Sequence, residues 1–253
     1  MMKKENRTNG IGVMVLAVVA GLLWSGMAAA GDPVLTCEAA KIKAATKRTA
    51  CLNKERTNAL KGKPSDSAKC ETQFDAAIAK ADAKAAKKGA SCRFVDNGDG
   101  TISDLDTLNM WEKKTNDGSV HDVDNTYRWN IASGGTEPNG TAFTVFLAEL
   151  NNCESADGIT VSGGFAGYCD WVMPDIARLQ TILLEPFPCS TFPCVDPVFD
   201  NGVDSFTAAS FYWSSSSGFN FPVVAWFVSF SDGFVDFDFK GIPNFVRAVR
   251  GGR

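Results

Sequence analysis

The chain has 253 residues, of which 45% are hydrophobic and 21% are charged, which is enough for one large packed domain or two smaller ones. Its formal net charge of −4 argues against a protein that binds nucleic acid. The single histidine, His121, excludes a metal site built from several histidines. Nucleic-acid binding and histidine-rich metal chemistry are therefore set aside at the outset.

The first thirty residues have the pattern of a secretory signal peptide. Basic residues precede an apolar run over residues 11–24, and Ala28 and Ala30 supply the small side chains of a cleavage site. The run is shorter than the roughly 20 residues that cross a bilayer. We therefore predict that residues 1–30 are removed, that no membrane span remains, and that a mature chain starting near Gly31 is secreted, periplasmic or at the cell surface.

Charge divides the exported chain into two parts. Residues 31–92 contain 13 Lys and Arg against 7 Asp and Glu, whereas residues 93–253 contain 9 against 21. The net charge therefore changes from +6 to −12 at the point where an Ala- and Lys-rich composition gives way to one rich in Gly, Asp and Phe. This asymmetry predicts a domain boundary after Cys92.

The basic part, residues 31–92, is rich in strong helix formers and predicts an α-helical hairpin. One helix is expected from about Cys37 to Leu60, and a second is expected to run to about Lys88. The eight cysteines of an exported chain are expected to be paired. Antiparallel helices favour the nested pairs Cys37–Cys92 and Cys51–Cys70, although four cysteines allow three connectivities. We interpret the hairpin as a spacer or stalk with a solvated lysine face; contact with anionic glycans or phosphates is the alternative.

The acidic part predicts short strands with two helices, at residues 141–151 and 174–184. Near the C-terminus, residues 225–231 and 234–240 alternate in polarity and are expected to form a hairpin through Asp232-Gly233. A last strand is expected over residues 244–250.

An acidic loop near the start of this part could be read as a calcium site. In an EF-hand frame, Asn97, Asp99 and Gly100 fall on positions three, five and six, but Val95 occupies position one and cannot bind calcium. A plain Asn-Gly and Asp-Gly turn is favoured, and we predict neither a metal nor a cofactor.

Several blocks of the acidic part together resemble one bacterial family, the Lcl C-terminal domain-like family. They occur in the expected order at Phe94–Asp104, Leu108–Lys113, Gly167–Leu179, Tyr212–Ser215, Ala225–Gly233 and Val246–Gly252. The resemblance implies an α+β, C-type-lectin-like domain over residues 93–253, with short antiparallel strands and two helices, preceded by the α-helical hairpin. The family usually has Asp-Trp-Arg-Leu-Pro where this chain has Val172 in place of the arginine, which implies the loss of a buried ion pair.

The tail is also similar to the variable proteins of diversity-generating retroelements, in which the last strands carry hypervariable residues on a fixed scaffold. The mutagenesis in those systems does not produce Trp, Met, Gln, Lys or Glu. Between Ser214 and Phe245 this chain has only Trp226 and Lys240 from that set, both at positions that look like scaffold.

Phenylalanines lie at both alternating positions of the closing strands. A sheet with one buried face needs apolar residues on that face only, so either some of these rings are exposed or the sheet is buried on both sides. Exposed aromatic clusters mark binding surfaces. The predicted ligand-binding residues are Phe219, Phe221, Phe227, Ser229, Phe234, Asp236, Phe237, Asp238, Phe239, Ile242, Pro243 and Asn244.

The family pattern assigns a second set of tail residues to the scaffold: Trp213, Trp226, Val228, Phe230, Gly233, Val235, Val246, Arg247, Val249 and Arg250. In this hypothesis the exposed rings supply the binding energy, and Asp236 and Asp238 tune specificity.

The remaining cysteines are expected to be structural, as the pairs Cys153–Cys169 and Cys189–Cys194. An enzymatic alternative exists, because the distantly related copper-dependent formylglycine-generating enzymes use two cysteines, and Cys189 and Cys194 have a comparable spacing. No matching motif surrounds them, and no nucleophile elbow, phosphate loop or zinc spacing is found. His121 is expected to be a solvent-exposed loop residue. We therefore predict no catalytic residue.

These observations predict an exported, non-enzymatic protein for display or adhesion that binds a protein or glycan on another cell or on a phage. The first alternative is a structural envelope protein that uses the aromatic residues for homo-oligomerisation. The copper-dependent oxidase is the second.

Overall fold

The computed structural model describes residues 32–154 and 162–252 and has helices at the N-terminus followed by antiparallel sheets. The predicted α+β class is thereby confirmed. The chain forms two compact units. Of the described residues, the first unit contains those from Asp32 to Asn97 together with Leu105–Leu108, and the second contains Gly98–Asp104 together with those from Asn109 onward. The predicted signal peptide, residues 1–30, and the predicted start near Gly31 lie outside the described residues.

The first unit contains helices α1 (Pro33–Leu60) and α2 (Ser67–Ala86) and the short strand β1 (Phe94–Asp96). Helix α1 begins earlier than expected because the Asp32 carboxylate caps it, accepting a hydrogen bond from the Val34 amide at 2.8 Å. The Asp66 carboxylate caps α2 by accepting from the Lys69 amide at 3.1 Å. Within the described part of the chain, neither these helices nor any other is both long and apolar enough to cross a membrane.

Two nested disulfide bonds join these helices and the segment that follows them. Cys51 of α1 is bonded to Cys70 of α2, and Cys37 near the start of α1 is bonded to Cys92, as predicted. Apart from Phe74 and Ile78, the apolar side chains of the buried clusters in this unit are small, namely Cys37, Ala44, Cys70, Ala81, Ala85 and Cys92. A core of this kind buries little apolar area, so the cross-links contribute a large share of the stability.

Lys41 of α1 is completely buried and holds a short segment against the helices. Its ammonium group forms an ion pair with Asp82 of α2 at 2.6 Å and a second with Asp106 in the Leu105–Leu108 segment. Leu108 packs against the buried cluster that contains Phe74. A buried ammonium is tolerated only when it is paired, and here two carboxylates supply that pairing.

The second unit consists of short strands with brief helical turns. A single turn of π-helix (Ala142–Leu147) leads into α3 (Ala148–Leu150), and α4 spans Ile176–Gln180, with 3-10 turns at Phe165–Gly167 and Pro197–Phe199. The strands are β2 (Thr101–Asp104), β3 (Asn109–Glu112), β4 (Tyr127–Arg128), β5 (Cys153–Glu154), β6 (Ser162–Gly163), β7 (Phe211–Ser217), β8 (Val224–Ser229), β9 (Val235–Phe239), β10 (Pro243–Asn244) and β11 (Val249–Gly251).

Among the described residues, the paired strands of this unit run antiparallel. Strand β3 lies between β2 and β11, so that Trp111 is opposite both Ile102 and Val249. Strand β8 lies between β7 and β9 in a second sheet. The pairs β4–β10 and β5–β6 are two-stranded, and the second is beside the predicted disulfide Cys153–Cys169, which is present.

Two predicted elements of this unit are shorter than expected. The helix expected over residues 174–184 ends at Gln180, because Leu183 forms a β-bridge with Val195 and the Leu184 amide donates to the Cys194 carbonyl at 3.1 Å. The strand expected over residues 244–250 is divided into β10 and β11. These two strands pair with β4 and β3 respectively, so the tail passes from one sheet to another.

A fully buried carboxylate organises the polar interior of the second unit. Glu112 accepts hydrogen bonds from the Lys114 ammonium at 2.8 Å, from His121 Nδ1 at 2.8 Å and from the Ala248 amide at 3.0 Å. Burial disfavours the charged form, but Lys114 and the His121 hydrogen bond outweigh it and hold the pKa of Glu112 below its ordinary value. The expectation of a solvent-exposed His121 was wrong: its side chain is 18% exposed, and its ring lies tilted against that of Phe165 with the ring centroids 4.1 Å apart.

We predict that removing the two disulfides of the first unit destabilises its helices by different amounts. Cys51→Ser with Cys70→Ser opens a loop of 19 residues and should cost about 3 kcal/mol, whereas Cys37→Ser with Cys92→Ser opens one of 55 residues and should cost about 4 kcal/mol. Urea unfolding followed by far-UV circular dichroism measures both. Cys153→Ser with Cys169→Ser is the control and should leave the helical transition in place. Equal midpoints for all variants would contradict the prediction.

We predict that Glu112→Gln lowers the free energy of unfolding by about 3 kcal/mol at neutral pH, because it leaves the Lys114 ammonium buried without its counter-charge. A carboxyl with a depressed pKa stabilises the fold above its ordinary value of 4.5, and this contribution is lost as the pH falls below that value. The stability difference between the two proteins should therefore narrow in acid. The exposed Glu149→Gln is the matched control, and parallel pH profiles for wild type and Glu112→Gln would refute the assignment.

Candidate functional site

The turn between β8 and β9 sets the register of the closing hairpin. The Ser229 amide donates to the Phe234 carbonyl at 2.8 Å, and the Gly233 amide donates to the Ser229 carbonyl at 2.9 Å. Gly233 has a φ of +81°, a conformation that favours glycine. The Asp232 carboxylate accepts hydrogen bonds from the Ser229 side chain and the Phe234 amide, and these hold its pKa below the ordinary value. The predicted hairpin through Asp232-Gly233 is therefore present.

Most of the predicted ligand-binding residues lie at the surface. Five phenylalanines are between 51% and 97% exposed, namely Phe219, Phe221, Phe234, Phe237 and Phe239. Ile242 and Pro243 are exposed as well, and Asp236 and Asp238 are half-buried. The loop between β7 and β8 carries the first two rings, and β9 with its preceding turn carries the other three.

Three of the predicted ligand-binding residues lie in the interior, so the prediction was wrong for them. Phe227 is buried between Phe211 and Trp213, with ring centroids at 4.6 Å and 6.3 Å. Ser229 is buried and its hydroxyl is 2.7 Å from that of Ser231. Both belong to β8, which has a strand on either side and is covered on both faces. Asn244 is buried where β10 pairs with β4.

The scaffold assignment agrees with the observed burial. Eight of its ten residues are buried, and Trp226 and Val235 are half-buried. Lys240 is buried as well. Its ammonium group donates to the Thr136 carbonyl at 2.7 Å and lies 3.8 Å from the centre of the Trp129 ring, and burial lowers its pKa. Trp226 and Lys240 are thus packed against other side chains, as expected of scaffold residues.

Alternation along β9 places its two central rings on one face of the sheet. Phe237 is opposite Trp226 and meets it edge to face at 5.5 Å, and Phe239 is opposite Val224. Asp236 and Asp238 point to the other face, where Phe227 and Ala225 are their partners in register. The strand therefore presents an apolar face to solvent beside the buried strand β8.

Sequence reasoning missed the aromatic residues of the loop that contains Cys189 and Cys194. Phe187 and Phe192 are 47% and 72% exposed. The ring of Phe187 lies directly against Gly233, where a Cβ atom would be 2.2 Å from it. A usable signal was present, because each ring precedes a proline in a short Pro-rich loop, where little chain is available to cover it. We call Phe187, Phe219, Phe221, Phe234, Phe237 and Phe239 together the aromatic surface.

The cysteines and the acidic loop considered as a metal site form structural bonds. Cys189 and Cys194 form the predicted disulfide, and all eight cysteines are paired. Within residues 32–154 and 162–252, one group of potential metal ligands comes together, at Cys37, Asp82 and Cys92, and its two sulfur atoms are joined to each other. Asp99 accepts hydrogen bonds from the Thr101 amide at 3.1 Å and hydroxyl at 2.6 Å, which is the geometry of a turn.

The block in which Val172 replaces an arginine also needs a correction. The resemblance implied that a buried ion pair is lost there, but Val172 is 44% exposed and its backbone pairs with that of Val249. The ion pair of this block is made by the preceding acid: the Asp170 carboxylate accepts two hydrogen bonds from Arg250, at 2.5 Å and 3.1 Å. The substitution therefore leaves this pair intact.

Comparison with known proteins places most of the second unit in one family. The model of the Lcl C-terminal domain matches residues 100–250, a span that contains the whole aromatic surface. No curated protein and no solved structure matches the chain. Since the matched span covers well over half of the 253 residues, the chain belongs to the Lcl C-terminal domain family.

Proposed function

We propose that this protein is an exported, non-enzymatic ligand-binding protein and that the aromatic surface is its binding site. The observation that carries the proposal is the exposure of five phenylalanines, each more than half accessible, on one strand and two adjoining segments. Single exposed apolar residues are common, but a concentration of large rings in one part of a surface is typical of a binding site.

The order of the rings along the closing hairpin supports a continuous surface. Phe187 and Phe234 lie at the turn, since both adjoin Gly233. Phe237 and Phe239 follow along β9. Phe221 lies in the loop before β8, and the end of this loop is next to the end of β9, because the Lys240 amide donates to the Val223 carbonyl at 3.0 Å. The length of strand between Phe234 and Phe239 is roughly 17 Å. A surface of this length suits part of a protein interface or several sugar rings.

The chemistry of the surface favours recognition by shape and apolar burial. Each phenylalanine can bury on the order of 150 Å² against a partner, and aromatic residues dominate the energetics of protein interfaces. The exposed Asp232 lies at the turn next to Phe234, so the partner is expected to be apolar at its centre and neutral or basic where it meets the turn. The ligand proposed is a protein or glycan on another cell or on a phage.

Export of the protein is supported by its disulfide bonds as well as by the N-terminal sequence. All eight cysteines form four bonds, and such bonds persist in oxidising compartments. The resemblance to lectin-like and retroelement variable proteins adds that the closing strands carry the ligand-binding residues, which is where the exposed rings of this chain are.

A second candidate function is structural: the same rings could be buried permanently against another copy in an envelope assembly. The apolar face of β9 is the observation that favours it, because this face is exposed in the single chain. Light scattering after size exclusion separates the candidates. A stable oligomer that dissociates when the rings are removed would support the structural role, whereas a monomer supports binding of a different ligand.

We predict that changing Phe234, Phe237 and Phe239 to Ser removes binding without unfolding the protein. Fluorescently labelled protein would be applied to intact cells, phage particles and a glycan array, and binding should fall at least tenfold for each ring that acts as a hot spot. Val203→Ser removes an exposed apolar residue outside the aromatic surface and is the matched control. Equal binding by a correctly folded triple variant would refute the proposal.

The hypothesis of a diversified tail makes a separate prediction about the DNA. The genome should contain a near-copy of the bases that encode the closing strands, differing at positions where the copy has adenine and lying beside a reverse transcriptase gene. Sequencing the locus tests this. A locus without such a copy would identify the tail as an ordinary, fixed binding surface.

A further inference from the structure

Strand β9 is the outer strand of its sheet, and its register shows which backbone groups face outward. The order of the strands is β7-β8-β9. The Ser229 amide donates to the Phe234 carbonyl, and the Lys240 amide donates to the Val223 carbonyl, so these groups of Phe234 and Lys240 face β8. In an antiparallel pair, hydrogen-bonded positions alternate, so Asp236 and Asp238 also direct their backbone groups toward β8. The amides of the odd residues Val235, Phe237 and Phe239 therefore point to the free edge.

Two of these outward amides are occupied by side chains of the same strand. The Phe237 amide donates to Asp236 Oδ1 at 2.8 Å, and the Phe239 amide donates to Asp238 Oδ1 at 2.7 Å. A charged acceptor makes a strong hydrogen bond with an amide. A strand of another molecule could pair with this edge only after displacing both carboxylates.

The sequence of the strand adds a second obstacle to pairing with itself. The run Asp236-Phe237-Asp238 reads the same in both directions. An antiparallel pair of two copies centred on Phe237 would place each aspartate directly opposite an aspartate of the other copy, and like charges in that position are destabilising. The same pair would also bury the exposed rings of both copies beside one another, so without the aspartates this edge is well suited to self-association.

We infer that the free edge of β9 is a strand-pairing surface for a second copy of this chain, held closed by the Asp236 and Asp238 carboxylates that cap the amides of Phe237 and Phe239. This role replaces the specificity-tuning role predicted for the two aspartates. It does not depend on the identity of the proposed ligand, because the groups that pair are backbone groups.

The first test measures self-association of the full mature chain by light scattering after size exclusion over a range of concentrations. Asp236→Ala with Asp238→Ala removes the caps and the charges, and we expect its dimer dissociation constant to be at least tenfold lower than that of wild type. Asp236→Asn with Asp238→Asn removes the charges but keeps an oxygen acceptor at each position, and it is expected to associate more weakly than the alanine variant. An alanine variant that associates no more than wild type overturns the inference. An asparagine variant that associates as strongly as the alanine variant also overturns it, because charge and not capping would then control the edge.

The second test keeps edge pairing distinct from association of the apolar faces. The alanine and the asparagine double substitutions of Asp236 and Asp238 are each combined with Phe237→Ser and Phe239→Ser. This background retains the amides of residues 237 and 239 but removes the rings. The alanine pair should still promote association there. If association disappears with the rings, the contact is through the aromatic surface and the inference fails.

Amide hydrogen exchange supplies a readout in the single chain. In wild type the amides at positions 237 and 239 should exchange slowly for an exposed edge, and in the alanine variant, at concentrations where it is monomeric, each should exchange about tenfold faster. The amide of Asp236, which faces β8, should be unchanged. Equal exchange at positions 237 and 239 in both proteins overturns the capping assignment.

Discussion

The burial of β8 on both faces is the constraint on which the rest of the second unit depends. Val224 and Val228 are buried on one face of this strand, and Ala225 and Phe227 are buried on the other. The neighbouring outer strand β9 is covered less, since Phe237 and Phe239 are exposed and Asp236 and Asp238 are half-buried. The exposed rings of β9 therefore lie beside a strand that is packed on both faces and holds them in place.

The path of the tail into that position is fixed by buried polar groups. Arg247 is completely buried and donates to the Glu112 carbonyl at 2.8 Å and to the Thr207 hydroxyl at 2.6 Å. Glu112 in turn accepts from the Ala248 amide. A buried guanidinium is costly unless its donors are paired, and these partners of Arg247 favour one course of the chain between β10 and β11. The tail that follows β9 is therefore anchored by this interior network.

The parts of the fold that depend on short sequence distances could be predicted. The hairpin turn at Asp232-Gly233 follows from local turn chemistry, and the nested disulfides follow from two antiparallel helices. The position of Phe227 could not be predicted, because alternation along a strand gives two faces but does not say whether the strand is central or at an edge. The contact of Phe187 with Gly233 and that of His121 with Glu112 depend on loops brought together by the tertiary fold, which leave no periodic signal.

The two demands placed on β9 are met by different atoms of the same residues. A surface for foreign ligands has to expose large apolar side chains, whereas an exposed edge strand has to avoid pairing with other strands. The side chains of Phe237 and Phe239 serve the first demand, and their backbone amides, capped by the preceding aspartates, serve the second. Because the capped groups are backbone amides, any residue other than proline at these two positions preserves the donors. The apolar face can therefore change in composition without opening the edge, which is the property that a binding surface subject to variation requires.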